Sequence, residues 1–313
     1  MSGSAEATRG AGLDARAWKL TALYTLVAAG VYWLVRTLPL ASGSLHYTDF
    51  HAGEKTFLEF CAPGTPQFAP VDRVRSPVTM SVVADASARA GETVRGRVVL
   101  TASSGRPVTV DDLVVVHTEK LHLLVVDPSL DDYHHLHPTP TGVPGEFAFE
   151  FTPARAGRYR FFGDFTPRAT GRALYTGAAL EVAAGPGRAE AKVDTSESFE
   201  AFVGDYVFRL SKPAEGLHIN QPGDLGLSVA RRDGGTVLLE EIMDARAHLV
   251  AFDEACTGFA HLHPLEAEPI EEGAAQKLGF TLLLTDPGYY RLWAQVKLDG
   301  REVYAPFGLS LEP

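Results

Sequence analysis

The chain has 313 residues, of which 45% are hydrophobic and 21% charged, and carries a formal net charge of −11. Its length exceeds one small domain and fits two units of about 100–150 residues, and its apolar content excludes a disordered chain. The negative charge, with no basic run interleaved with aromatics, excludes nucleic acid as a partner.

From the N-terminus, the first feature is "LTALYTLVAAGVYWLV" at residues 20–35, sixteen positions without a charge. Continued through Arg36, which can snorkel, it is expected to form an N-terminal transmembrane helix. Arg9, Arg16 and Lys19 precede it and only Arg36 lies close behind, so the positive-inside rule puts the N-terminus in the cytoplasm and everything after residue 42 outside, in a periplasmic or extracellular space. Residues 1–41 are thus read as a cytoplasmic N-terminus and a single-pass anchor in the cytoplasmic membrane. "ASGS" at 41–44 keeps open a cleaved signal peptide and a secreted chain.

Residues 42–75 read as a Pro- and Gly-rich linker containing His46, His51 and Cys61. Cys61 and Cys256 are the only cysteines, and whether they form a disulfide is open. Beyond the linker the chain is all-β. Alternating apolar segments such as "VTMSVVAD", "VRGRVVLT" and "EFAFEF", broken by Gly, Pro and Asp turns, predict a β-sandwich over 76–184. A polar connector, "GPGRAEAKVD", leads to a second series with the same grammar over 195–311.

The two series are copies. "LHLLVVDPSLDDYHHLHP" (121–138) lies over "AHLVAFDEACTGFAHLHP" (247–264) at a constant offset of 126, and "GRYR" (157–160) answers "GYYR" (288–291). The fold expected is therefore two tandem β-sandwich domains produced by internal duplication.

In each copy an apolar strand ends at an Asp, turns, and returns into H-L-H-P. If the strands pair as a hairpin around 127–132, His122 lies opposite His137 and His135 is its diagonal neighbour on the same face. The same arithmetic brings together His248, His263 and His261. Three imidazoles with no carboxylate among them repel one another when protonated but offer three neutral nitrogen donors to a metal ion.

A fourth position separates the copies. His117 lies five residues before His122, and Met243 the same distance before His248, so the first site is expected to be all imidazole and the second to add a thioether, a ligand suited to soft copper. His134 aligns with Ala260 and is read as a solvated surface residue. Asp127 and Asp253 are expected to start their turns through side-chain to backbone bonds. Asp164 and Gln295 hold equivalent places, within reach of an imidazole as outer-sphere partners.

These two histidine segments, each in a small β-sandwich behind an apolar N-terminal segment, resemble bacterial extracytoplasmic proteins of the YtkA-like and copper-handling type. The resemblance covers about eighteen residues in each domain. It implies Ig-like or cupredoxin-like sandwiches and copper binding or delivery outside the cytoplasmic membrane, with His122, His135, His137 and their partners as ligands.

The expected function is that of a membrane-anchored metal-binding protein: a copper chaperone, buffer or resistance factor, with zinc as second choice of ion and a copper-donating or copper-accepting protein as partner. Two alternatives stand beside it, a two-site copper oxidoreductase of the monooxygenase kind and a metal-free Ig-like interaction module. No nucleophile, P-loop, HExxH or dinucleotide signature supports another enzyme class.

Overall fold

The structure, a computed structural model, describes residues 15–37, 67–265, 273 and 275–312. It separates the chain into an N-terminal unit, residues 1–55, and a second unit, residues 56–313.

In the first unit α1 (Ala15–Thr37) is a 23-residue helix on which Trp18, Tyr24, Leu26 and Trp33 are exposed. No helix among the described residues is long and apolar enough to cross a membrane, which corrects the expectation of a transmembrane anchor. The physical reason lies in the segment itself. Its uncharged run is sixteen residues, against the ~20 that a span needs, with Lys19 and Arg36 at its edges and Thr21, Thr25 and Gly30 diluting its apolar content. The single-pass topology in the cytoplasmic membrane rested on that anchor and falls with it. The small-residue stretch at 41–44, His46, His51 and Cys61 lie outside the described residues.

The second unit is built from antiparallel strands: β1 (Val78–Ala84), β2 (Val94–Ala102), β3 (Leu113–Val114), β4 (His122–Val126), β5 (Tyr133–Leu136), β6 (Thr139–Pro140), β7 (Glu146–Phe151), β8 (Gly157–Pro167) and β9 (Leu174–Val182), then β10 (Glu200–Val203), β11 (Tyr206–Ser211), β12 (Pro222–Arg231), β13 (Ala247–Asp253), β14 (Phe259–Leu262), β15 (Ala275–Leu283), β16 (Gly288–Leu298) and β17 (Arg301–Leu311). The first nine make two sheets, β1-β2-β7-β6 and β3-β8-β4-β5 with β9 on β8. The remaining eight make β10-β11-β12-β15 and β14-β13-β16-β17. The expected pair of β domains is therefore present.

Each domain closes its two sheets on a core of its own. Val98, Leu100, Phe147 and Phe161 fill the first, and Phe208, Leu227, Phe280 and Phe307 the second. A third apolar cluster joins the domains, with Leu124, Val126, Tyr133 and Phe162 packed against Val250, Phe252, Phe259 and Trp293. This explains why β4 and β13 are apolar without alternation. Leu123 and Val125 enter the first domain's core while Leu124 and Val126 enter the interdomain cluster. His122 shares the face of Leu124 and Val126 by the two-residue period of a strand, so the first histidine of the motif faces the other domain. Leu249 and Ala251 against Val250 and Phe252 repeat the pattern, and His248 follows it.

Polar ties fix the docking. The Trp293 indole donates to the Leu130 carbonyl at 3.1 Å, and Arg291 donates to Asp131 Oδ1 at 3.1 Å. The end of the expected linker is part of this body. Phe68 is 2% exposed in the second domain's core, and Ala69 pairs through its backbone with Phe259. Gly258 permits that approach, since a Cβ there would fall 2.0 Å from the Ala69 carbonyl oxygen. Cys256 is a free thiol buried in the interdomain cluster, where burial pushes it up to about 12.

Candidate metal centre

Both histidine hairpins adopt the register expected from the motif. Leu123 pairs with Leu136 and Leu124 with His135, while Leu249 pairs with Leu262 and Val250 with His261. His122 therefore faces His137, and His248 faces His263. The turns are held as expected of their aspartates. Asp127 Oδ1 accepts from the amides of Asp131 and Asp132 at 2.8 and 2.9 Å, and Asp253 Oδ1 accepts from those of Thr257 and Gly258 at 2.7 and 3.0 Å.

The result is two triads, His122, His135 and His137 in the first domain and His248, His261 and His263 in the second. Within each, one ligand atom per histidine lies within 4.8 Å of the others. The rings of His122 and His137 are 5.1 Å apart and those of His248 and His263 4.8 Å. The triads also face each other across the domain interface, with rings 5.2 Å apart between His135 and His261 and 5.8 Å between His135 and His248.

Hydrogen bonds settle which ring nitrogens carry protons in the first triad. His122 Nε2 lies 3.0 Å from the Val116 carbonyl, which can only accept, so Nε2 carries the proton. His135 Nδ1 lies 2.8 Å from Gln295 Oε1. The Gln295 amide nitrogen is turned to Glu302 and Tyr304 at 2.9 Å each, so its oxygen is the acceptor and His135 Nδ1 carries the proton. The two nitrogens left bare, His122 Nδ1 and His135 Nε2, face each other at 3.1 Å. No hydrogen sits between them, and burial holds both rings neutral. Two nitrogens each about 2.0–2.1 Å from one tetrahedral ion would be about 3.3 Å apart, so this contact has the spacing of a ligand pair.

In the second triad His261 Nδ1 lies 3.2 Å from Asp164 Oδ2, which leaves Nε2 as the free donor. Among the described residues, buried ring nitrogens without a hydrogen-bond partner include Nε2 of His117, His137, His261 and His263, and both nitrogens of His248. Each such group costs about 1–3 kcal/mol when left unpaired, and a soft or borderline metal ion satisfies a bare nitrogen directly. Burial lowers the proton affinity of all seven clustered histidines. For His117, His122 and His137 burial outweighs the carboxylates nearby, which pull the other way. His135, His248, His261 and His263 are pushed furthest, their histidine neighbours adding to the effect of burial. Burial pushes the Asp164 carboxyl up, against the opposing pull of His122 and His117.

The fourth positions lie on equivalent tight turns. Val116 pairs with Glu119 and Ile242 with Ala245 around two-residue loops whose central residues all have positive φ: His117 (48°), Thr118 (68°), Met243 (52°) and Asp244 (57°). These are hairpin turns of the kind that normally favours Asn and Gly. His117 stacks on His263 of the other domain, with ring centroids 3.8 Å apart, so the structure seats it against the second triad. Met243 is half-buried at the matching place. His134 differs from its reading as a solvated residue: its side chain is 22% exposed, its Nε2 lies 3.2 Å from Asp132 Oδ1, and its ring packs edge-on to Phe151. His218, outside the repeat, is exposed.

No curated protein matches the chain. Solved structures similar to it include a DUF4785 family protein from Legionella pneumophila, 12% identical, with 72% of this chain and 55% of that one covered and a TM-score of 0.24. An alpha-2-macroglobulin from Escherichia coli activated by porcine elastase is 10% identical, with 77% and 22% covered and a TM-score of 0.25. The fibronectin(III)-like modules of Clostridium thermocellum CbhA are 12% identical, with 74% and 92% covered and a TM-score of 0.21. The chain thus spans about half of the first of these and under a quarter of the second, and none of them bears on the histidines. A family model matches each domain in turn, over residues 74–182 and 201–312. The chain belongs to the family described as Domain of unknown function (DUF8832).

Proposed function

We propose that the protein binds two transition-metal ions, one in each histidine triad, and that copper is its preferred ion, with zinc second. The observation that carries this reading is the 3.1 Å contact between His122 Nδ1 and His135 Nε2, two nitrogens whose protons are committed elsewhere. The partnerless nitrogens of the second triad support it. Three neutral imidazoles suit copper and zinc better than magnesium or calcium, which take oxygen donors, and the Irving–Williams order places copper above zinc for one nitrogen donor set. A closed, buried site of this kind serves storage or hand-over of an ion, which fits a chaperone, buffer or resistance factor that exchanges copper with another protein. A metal-free interaction module would leave the triads without a use for their convergence.

Equilibrium titration of the full chain with Cu²⁺ and separately with Zn²⁺, and with Cu(I) under anaerobic reducing conditions, tests the proposal. Two ions per chain are expected, with Cu²⁺ held more tightly than Zn²⁺. Binding of neither copper nor zinc, or stoichiometry unrelated to two sites, would overturn it.

A further inference from the structure

The two triads are wired to each other by the strands that carry them. Asp164 on β8 is the cross-strand partner of His122 on β4, yet its Oδ2 accepts from His261, a member of the second triad. Gln295 on β16 is the cross-strand partner of His248 on β13, yet its Oε1 accepts from His135, a member of the first. The two contacts are equivalent under the duplication and run in opposite directions. A third crosses the same way as Asp164, the stacking of His117 on His263. Gln295 is 1% exposed and its amide is held by Glu302 and Tyr304, so its oxygen is aimed rather than free to turn.

A ligating imidazole needs its other nitrogen fixed by an acceptor, which sets the tautomer and the ring plane; loss of such a partner typically weakens metal binding by roughly 10–100-fold. His122 takes that acceptor from its own domain, the Val116 carbonyl, but the equivalent histidines His135 and His261 each take it from the other domain. We propose that the triads form a single two-ion centre in which each domain supplies the donor set for one ion and the acceptor that orients one ligand, His135 or His261, of the other. Gln295 is a positioning residue for the first site and Asp164 for the second. The inference rests on the metal-binding reading above.

The experiment uses the full chain in two backgrounds. His261→Ala/His263→Ala leaves only the first triad, and His135→Ala/His137→Ala leaves only the second. Cu(I) affinity is measured in each by competition with a chromophoric Cu(I) chelator. Gln295→Leu is expected to weaken the first-triad chain by roughly 10–100-fold, and Asp164→Leu to weaken the second-triad chain to a similar degree. Each substitution should change the other background, that of its own domain's triad, by less than about 3-fold. Gln295→Glu and Asp164→Asn, which keep an acceptor oxygen, should restore affinity to within about 3-fold of the parent. That rescue separates loss of the acceptor from a general loss of folding. Unchanged affinity, or weakening confined to the substituted residue's own domain, would overturn the shared centre and leave metal binding standing. Parent chains that bind no Cu(I) would overturn both.

Discussion

Acidifying the metal-free chain from pH 7.5 to pH 5.5 is expected to lower its unfolding free energy by several kcal/mol. His135, His248, His261 and His263 are held neutral in the folded chain by burial, far below the 6.5 of a free histidine. Below about pH 6.5 the unfolded chain therefore binds protons that the folded chain refuses. Stability is fully present above 6.5 and falls as the pH drops toward the folded values. The limiting slope is about 1.4 kcal/mol per pH unit for each group, or about 5 kcal/mol for the four together. Asp164 acts with the opposite sign. Its carboxyl is raised in the folded chain, so over its own range the folded chain takes up a proton before the unfolded one does, which offsets at most one histidine. Urea midpoints measured at the two pH values with a chelator present check this. Equal midpoints would mean that the histidines are not buried in the way described.

Removal of one central imidazole should silence one site and spare the count at the other. His135→Ala is expected to reduce the chain from two bound ions to one at micromolar metal, and His135→Ala/His261→Ala to none. The loss of affinity should exceed the roughly 10–100-fold attached to an outer-sphere partner, because a donor and its bond to the ion are both removed. The substitution leaves Gln295 Oε1 without its donor, a cost of about 1–3 kcal/mol, so thermal unfolding is followed beside the titration. Two ions retained by the double variant would place the metal elsewhere.

The histidine triads were legible in the sequence because a strand's period of two is rigid. Once the hairpin register is assumed, His122, His135 and His137 can only share a face, and the second copy repeats the spacing. Asp127 and Asp253 were legible as turn residues for the same local reason. The equivalence of Asp164 and Gln295 was visible too, but the domain each one serves was not, because that depends on how two sandwiches dock. The unbroken apolar runs of β4 and β13 held a clue, since a strand buried on both faces within a two-sheet domain needs a second partner. The seat of His117 against the second triad had no local signature, as it follows from a tight turn at an interface. The N-terminal segment was misread because a sixteen-residue uncharged run was extended through a charge to reach the length of a span.

X-ray absorption at the metal edge of the loaded full chain tests the central claim most directly, because it reports the atoms around the ion. The account predicts about three nitrogen neighbours per ion at roughly 2.0 Å, with the outer-shell scattering of imidazole. A shell dominated by oxygen donors, or one without imidazole scattering, would contradict it.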